Sequence, residues 1–491
     1  MRLATLTSLA VGLALSPLTT ALYGTEFEPK KTCEIAAAGD PAVDDAPAIR
    51  TAFQSCSKDA RVVFADKTYH INSVLDIRNL KNVKIDVHGT LLWSTDIDYW
   101  LANSMPMGYQ NQSTAMILGG DNVHLEGFGK GTFDGNGDAW YLWIDKKHNK
   151  SNWPGRPHQI TFNNMTNSRI ENLSFLRSQM WTMTLIYSQY VDLNNIFVNN
   201  TGNHVQSFNN DGADTVYSSH INFDRWTVYN GDDSIALKAN STDISITNSA
   251  FYDGSGIALG SIGQFRDVYE TIERVRIENV TVHNCIHAAW VKTWTNDQNG
   301  YAPNGGGGGL GFASNITIKN VTATRLRGGA FTISQCTRFS GAPGDGNCTN
   351  SKFRISDINI DGIRGTSRSP VVTSLQCSAV APCEDISIRN VDITLLPETT
   401  GKNATEYLCG NARDLSGFNC TGTPCVRGTA IGECSSAGGI GAMLPNPPKG
   451  IAGGSSSGGA GGSSTGAGNT LRIMMSGYTL AAILAGIWVA F

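Results

Sequence analysis

One short pattern recurs along the middle of this chain and constrains its fold more than anything else in the sequence. It runs apolar-x-apolar, then a corner on Asn or Asp, then apolar-x-apolar again. Copies read Arg169-Ile-Glu-Asn-Leu-Ser-Phe175, Tyr190-Val-Asp-Leu-Asn-Asn-Ile-Phe197, His220-Ile-Asn-Phe-Asp-Arg-Trp-Thr-Val228 and Asp243-Ile-Ser-Ile-Thr-Asn-Ser-Ala-Phe251. Later copies read Arg274-Val-Arg-Ile-Glu-Asn-Val-Thr-Val282, Asn315-Ile-Thr-Ile-Lys-Asn-Val-Thr-Ala323 and Asp385-Ile-Ser-Ile-Arg-Asn-Val-Asp-Ile393. Each unit is two short strands facing one interior across a bend. A unit of this length cannot bury its own apolar face, so copies must stack, and strand–turn–strand units stack as a parallel β-helix. A β-sandwich would favour hairpin turns such as Asn-Gly and would not reuse Asn at one corner. The expected class is therefore all-β: a solenoid of stacked coils over residues 22–435, with wider repeat spacing late in the chain where loops are inserted.

Composition supports that reading. Charged residues make up only 16% of the 491, Gly numbers 54 and the net charge is −4, which suits a turn-rich β chain and gives no basic stripe for nucleic acid. The termini speak to location. Arg2 and the apolar run Leu3–Leu15, with small residues up to Ala21, have the form of a secretory signal over residues 1–21. Twelve N-x-[ST] sequons follow, at Asn111, Asn149, Asn164, Asn172, Asn199, Asn240, Asn279, Asn315, Asn320, Asn347, Asn403 and Asn419, as in a secreted glycoprotein. None of the eleven cysteines forms a C-x-x-C pair, so disulfides are expected rather than zinc. The local pairings are Cys33–Cys56, Cys336–Cys348 and Cys377–Cys383, with Cys285 left over in an apolar run. Residues 436–470 form a Gly/Ser-rich linker and 471–491 an uncharged apolar tail, the layout of a GPI-attachment signal with the anchor near Gly461–Ser464. A plain tail anchor and a trimmed secreted protein are the alternatives.

A solenoid converts sequence spacing into geometry. Asn209-Asn-Asp211-Gly212 and Gly231-Asp232-Asp233 lie 21 residues apart, measured from Asp211 to Asp232. That is close to one coil, so three carboxylates are expected to converge on one surface patch, about 4.8 Å apart from strand to strand. Like charges so placed raise at least one pKa, leaving a carboxylic acid able to protonate a leaving oxygen while another carboxylate activates water. Asn-Asp-Gly and Gly-Asp-Asp are also ordinary turn sequences, and clustered Asp can bind calcium, but no D-x-D-x-D-G loop is present. No metal and no cofactor are expected.

These motifs carry a resemblance. Asn209-x-Asp211-Gly212, Gly231-Asp232-Asp233-Ser-Ile-Ala-Leu-Lys238, Gly254-Ser-Gly-Ile-Ala-Leu-Gly-Ser261 and Val291-Lys292-Thr293 stand in the order of four motifs of the polygalacturonase family, glycoside hydrolase family 28. Phe133-Asp-Gly-Asn-Gly137 followed by Trp140 is similar to a further turn of that family. The resemblance runs from roughly Cys33 to Ile393. It implies a right-handed parallel β-helix and a secreted, inverting, metal-independent hydrolase of pectin. By motif, Asp232 would be the general acid, Asp211 and Asp233 would hold and activate water, and Asn209 and Lys292 would bind sugar, with Ser255 and Trp290 as the other substrate-binding positions.

Two motifs depart from the family pattern. Ser255 stands where the family has the His of Gly-His-Gly, and Trp290 where it has the Arg of Arg-Ile-Lys. In the family the Arg and Lys of that motif contact a galacturonate carboxylate, so Trp290 removes a bidentate fork and supplies an apolar face, while the Lys is kept as Lys292. A sugar without a carboxylate is then expected, and rhamnose, a 6-deoxy sugar, fits. His287 or Arg266 from a neighbouring loop could instead replace the lost Arg. The Gly-rich run Pro303–Phe312 lacks the ending of a phosphate loop and is expected to be a mobile loop beside the cleft, favouring removal of terminal sugars. The expected activity is exo-type release of terminal α-L-rhamnose from rhamnogalacturonan or rhamnosides by a monomer. An exo-polygalacturonase and a non-catalytic polysaccharide-binding β-helix are the alternatives.

Overall fold

A computed structural model describes residues 23–147, 153–202, 208–297, 306–337, 349–399 and 401–424. The chain divides into the units Met1–Pro445 and Asn446–Phe491. The expected signal, linker and tail segments, and the sequons Asn149 and Asn347, lie outside the described residues.

The repeated copies stack as the spacing predicts. Within the described residues 28 strands join in one sheet system whose pairings are parallel throughout, the architecture of a parallel β-helix. One register line through the interior runs Ile170, Leu193, Phe223, Ile246, Ile277, Ile318, Ile360 and Ile388, each paired with the next and each buried. Burying each such side chain is worth about 1.5–3 kcal/mol, and no coil could do so alone. The recurring Asn has a backbone cause. The corner needs the left-handed conformation, and Asn172, Asn195, Asn248, Asn279, Asn320 and Asn390 take it with φ between 50° and 56°. Asn adopts that region more readily than other side-chain-bearing residues. Coil length then varies by insertion elsewhere: 23 residues separate Asn172 from Asn195, 31 separate Asn248 from Asn279, and 41 separate Asn279 from Asn320.

The first coil is covered by helix Ala46–Ser55, which buries Ala46, Ile49 and Phe53 and is tied to strand Lys31–Ile35 by the bridge Cys33–Cys56. Cys377–Cys383 also forms as expected, and Cys285 is buried and free. A bridge not singled out from the sequence, Cys409–Cys420, closes the last strands. Cys336 is disulfide-bonded, while Cys348 lies outside the described residues. Of the ten described sequons, Asn111, Asn164, Asn240, Asn279, Asn315, Asn320, Asn403 and Asn419 are exposed, and Asn172 and Asn199 are half-buried.

Candidate active site

One line of strands presents an outward row that runs Thr161, Thr184, Asp214, Ala236, Ala258, Trp290, Thr332 and Ser374 in successive register. The carboxylate turns sit where the chain enters this line. Asn209–Gly212 precedes strand Asp214–Val216, and Gly231–Asp232 precedes strand Asp233–Leu237. Backbone bonds stack these turns: Thr182 N donates to Asp211 O (2.8 Å), Gly212 N to Asp233 O (3.1 Å) and Ser255 N to Asp232 O (2.7 Å). Contact is so close that a Cβ on Gly212 would stand 2.3 Å from Ser234 O, and one on Gly254 2.3 Å from Asp232 O. Three asparagines brace the turns from behind. Asn210 Nδ2 donates to Asn200 O (2.8 Å), Gly231 N to Asn210 Oδ1 (3.1 Å) and Asn230 Nδ2 to Asp233 O (2.7 Å).

The consequence is the predicted convergence. One carboxylate oxygen from each of Asp211, Asp232 and Asp233 lies within 4.8 Å of the others. Asp211 and Asp233 are buried and Asp232 is half-buried. Asp232 Oδ2 accepts from Asn209 N (3.1 Å) and Oδ1 from Asp233 N (2.9 Å). Lys292 Nζ stands 2.5 Å from Asp233 Oδ2, while Asp211 Oδ1 and Asp233 Oδ1 are buried without a hydrogen-bond partner. Burial, then the charge of Asp232, pushes the Asp211 carboxyl well above the usual range. Burial, then Asp233, raises Asp232 as well.

Four further groups join the cluster and were not singled out from the sequence. Asp214, fully buried, pairs with Lys238 Nζ at 3.2 Å, and burial pushes its carboxyl up to about 7. Burial works to lower the Lys238 pKa, but Asp214, Asp211 and Asp233 together more than reverse it. The Lys238 ammonium also lies 4.6 Å from the Trp181 ring centre. Arg156, brought down to about 10 by burial, donates to the carbonyls of Gln179 (2.7 Å) and Phe208 (2.8 Å) while feeling Asp232 and Asp211. Asp211, Asp214, Asp232 and Asp233 thus face Lys238, Lys292 and Arg156, so one retained proton leaves the group electrically balanced. Asp214 and Lys238 carried a legible signal, since one opens the strand that the first turn feeds and the other directly follows the strand that the second turn feeds. Arg156 comes from a coil whose spacing to the motifs shows no regularity.

The departing positions are also placed. Ser255 is buried beside Asp232 through its backbone. Trp290 lies on the outward row and packs with Ala236 and Ala258, the small residues in register before it. Its ring is 2% exposed, with Lys292 Nζ 4.3 Å from its centre, so it fills space rather than offering an open face. Arg266 does not replace the lost fork: its side chain is 71% exposed and paired with Asp267. His287 is buried, with Nδ1 on the carbonyl of Gly329. The Gly-rich run departs from expectation where it is described. Gly306 and Gly307 donate to Gln264 O, Gly308 to Thr295 O and Gly309 to Gly263 O, which pins that stretch; residues 303–305 lie outside the described residues.

Comparison with known proteins agrees with this geometry. The pattern of glycosyl hydrolases family 28 matches residues 68–413. An α-L-rhamnosidase (rgxB) of Aspergillus niger is 52% identical over 405 residues, covering 82% of this chain and 92% of that one. A putative galacturan 1,4-α-galacturonidase A of Aspergillus niger is 34% identical, covering 79% and 93%. Among solved structures, the endo-xylogalacturonan hydrolase of Aspergillus tubingensis aligns with TM-score 0.65 at 28% identity, covering 80% of this chain and 99% of that one. Agreement over that much of the sequence, with the fold and the stacked acidic turns in place, settles the family: the chain belongs to glycosyl hydrolases family 28 and is a glycosidase.

Proposed function

We propose that the chain is a secreted, inverting, exo-acting glycosidase that removes terminal α-L-rhamnose from pectic rhamnogalacturonan or related rhamnosides, working as a monomer held at the cell surface by a lipid anchor. Asp232 is the general acid: half-buried and raised in pKa, it keeps the proton that the leaving oxygen needs. With that proton on Asp232, the largest like-charge push on Asp211 is gone, and Asp211 can ionise as the base. Lys292 holds Asp233 against the cluster, and Asp211 and Asp233 together orient the water. Most inverting enzymes separate acid and base by roughly 6.5–9.5 Å to admit water between them. Here the oxygens cluster within 4.8 Å. That spacing is nearer the roughly 5–5.5 Å of retaining enzymes, so inversion requires the water to sit across the Asp211–Asp233 pair rather than between acid and base.

The observation that carries the choice of sugar is Trp290. An indole occupies the outward row where a guanidinium would receive a carboxylate, and the remaining ammonium, Lys292, is engaged by Asp233. A galacturonate carboxylate there would lose its fork and face a carboxylate pair, whereas a 6-deoxy sugar loses nothing. The identity to an α-L-rhamnosidase supports the same choice.

Two oligosaccharide sets, capped at the non-reducing end by rhamnose or by galacturonate, test it by mass spectrometry of products. Loss of one rhamnose, released first as the inverted anomer by NMR, is expected. Loss of galacturonate instead would overturn the sugar assignment, and a retained anomer would overturn the water placement.

A further inference from the structure

The outward row is not open along its length. A hairpin spanning Met105–Pro106 and Ser113–Thr114 turns at Gln110 and Asn111, both in left-handed conformation, and Ser113–Thr114 pairs with Pro157–His158. This three-stranded sheet is separate from the 28-stranded one, although Ser113–Thr114 and Pro157–His158 each lead directly into one of its strands. From its base beside Pro157–His158 the hairpin extends past the strands of Asp214 and Asp233 to reach residues that follow strand Gly256–Ile262. There Tyr109 packs edge-on against Tyr217 (5.9 Å) and Phe265 (5.8 Å). Beneath it, Met107 and Tyr109 form one buried apolar cluster with Met180, Trp181, Ile186, Val216 and Ala239. Ile186 and Val216 end the two strands that come before the Asp233 strand in the stack, and Ala239 follows that strand, so the cover lies along the ends of these strands, beside the carboxylate coil and over the coils before it.

A chain of hydrogen bonds fixes the cover in place. Gln110 Nε2 donates to Gln264 Oε1 (2.6 Å) across 154 residues of sequence, and Gln112 Nε2 donates to Gln110 Oε1 (2.9 Å). His158 Nε2 meets Gln112 Oε1 (2.5 Å), and His158 Nδ1 meets Thr184 Oγ1 (2.9 Å). Burial, helped by Lys238 and Arg156, holds His158 well below its usual pKa, so the imidazole is neutral with one donor and one acceptor. Because an amide oxygen can only accept, the proton is on Nε2 and Nδ1 accepts from Thr184. The bonds then run one way, Thr184 to His158 to Gln112 to Gln110 to Gln264, through buried residues. A satisfied, buried polar chain of this kind is rigid.

We propose that the hairpin Met105–Thr114, latched by Gln110 to Gln264, is the wall that stops the groove beside the carboxylates and so admits only a chain end. The proposal rests on the exo reading above and assigns it to named residues. A polysaccharide lying across the active site needs clear face on both sides of Asp232; with one side filled by Tyr109 and Met107, only the terminal sugar fits before the wall.

Two variants test it on a long rhamnogalacturonan chain with a labelled reducing end. The first is Tyr109→Ala/Gln110→Ala; the second shortens the hairpin by replacing residues 107–112 with two glycines. Circular dichroism and melting temperature establish which variants fold. The wild type is expected to release monosaccharide with no early fall in viscosity, and a folded variant to yield products of two or more sugars at least 10-fold above the wild-type fraction. A folded variant that still releases only monosaccharide would overturn the wall, as would internal cutting by the wild type. Release of terminal galacturonate rather than rhamnose by the wild type would sink the sugar assignment and leave the wall standing.

Discussion

Two corners of this β-helix are built on the same principle and end in opposite states. At one, asparagines stack coil upon coil, and each satisfies the next: Asn320 Nδ2 donates to Asn279 Oδ1 (2.6 Å) and Asn279 Nδ2 to Asn248 Oδ1 (3.4 Å). At the other, the stacked residues are Asp211 and Asp232–Asp233, which have no proton to give one another when ionised. Two of their buried oxygens go without a partner. An amide is donor and acceptor at once, so its ladder stabilises; a carboxylate only accepts, so its ladder stores repulsion that a proton, a water or a substrate relieves. Stacking geometry is therefore neutral as to function, and the side chain placed on it decides.

The sharpest way to break the contrast is to make the carboxylate corner resemble the asparagine corner at its half-buried member. Asp232→Asn keeps shape and removes the transferable proton. kcat is expected to fall by about 10²–10⁴-fold, with the fold and the affinity for a rhamnose-capped oligosaccharide unchanged. Rate measurements beside calorimetric binding check this, and an unaffected kcat would remove Asp232 from the mechanism.

A smaller effect concerns stability. Asp211, Asp232 and Asp214, the last at about 7, all hold their protons more tightly folded than unfolded. The folded state then binds more protons than the unfolded chain between roughly pH 4 and 7, so stability is fully present at the low end and falls as pH rises. The melting temperature of the wild type is expected to drop across that window. Asp211→Asn should flatten the drop and add about 1–2 kcal/mol at pH 7 while costing activity, the usual exchange at a strained site. A pH-independent melting temperature in the wild type would show that the cluster carries no excess proton.

The same contrast explains which features the sequence alone reveals. The asparagine corner repeats because backbone conformation demands it at every coil, so seven written copies reveal the solenoid. The acidic turns were legible through their spacing and motifs, since Gly212 and Gly254 must be glycine for the coils to meet. Trp290 was legible as a departure but not as a buried ring, because nothing local to Trp290-Val291-Lys292 announces that Ala236 and Ala258 lie under it. Arg156, His158 and the Gln110–Gln264 latch were not legible at all. Their partners lie far off in sequence, in loops whose lengths follow no repeat, and one hydrogen bond across 154 residues leaves no periodic trace.

The smallest expected effect separates the two causes of the asparagine corner. Asn279 takes φ 56° and also bonds both neighbours in the ladder. Asn279→Ala loses the bonds and must hold a left-handed backbone, a strain of about 1–2 kcal/mol. Asn279→Gly loses the same bonds without the strain, and the corner already accepts glycine at Gly362, with φ 89°. Both variants abolish the sequon, so any glycan effect cancels between them. In urea unfolding the alanine variant is expected to be about 1 kcal/mol less stable than the glycine variant, even after glycine's greater chain entropy is counted against it. Equal stabilities would mean that the ladder of amide bonds, and not the backbone, is what keeps asparagine at this corner.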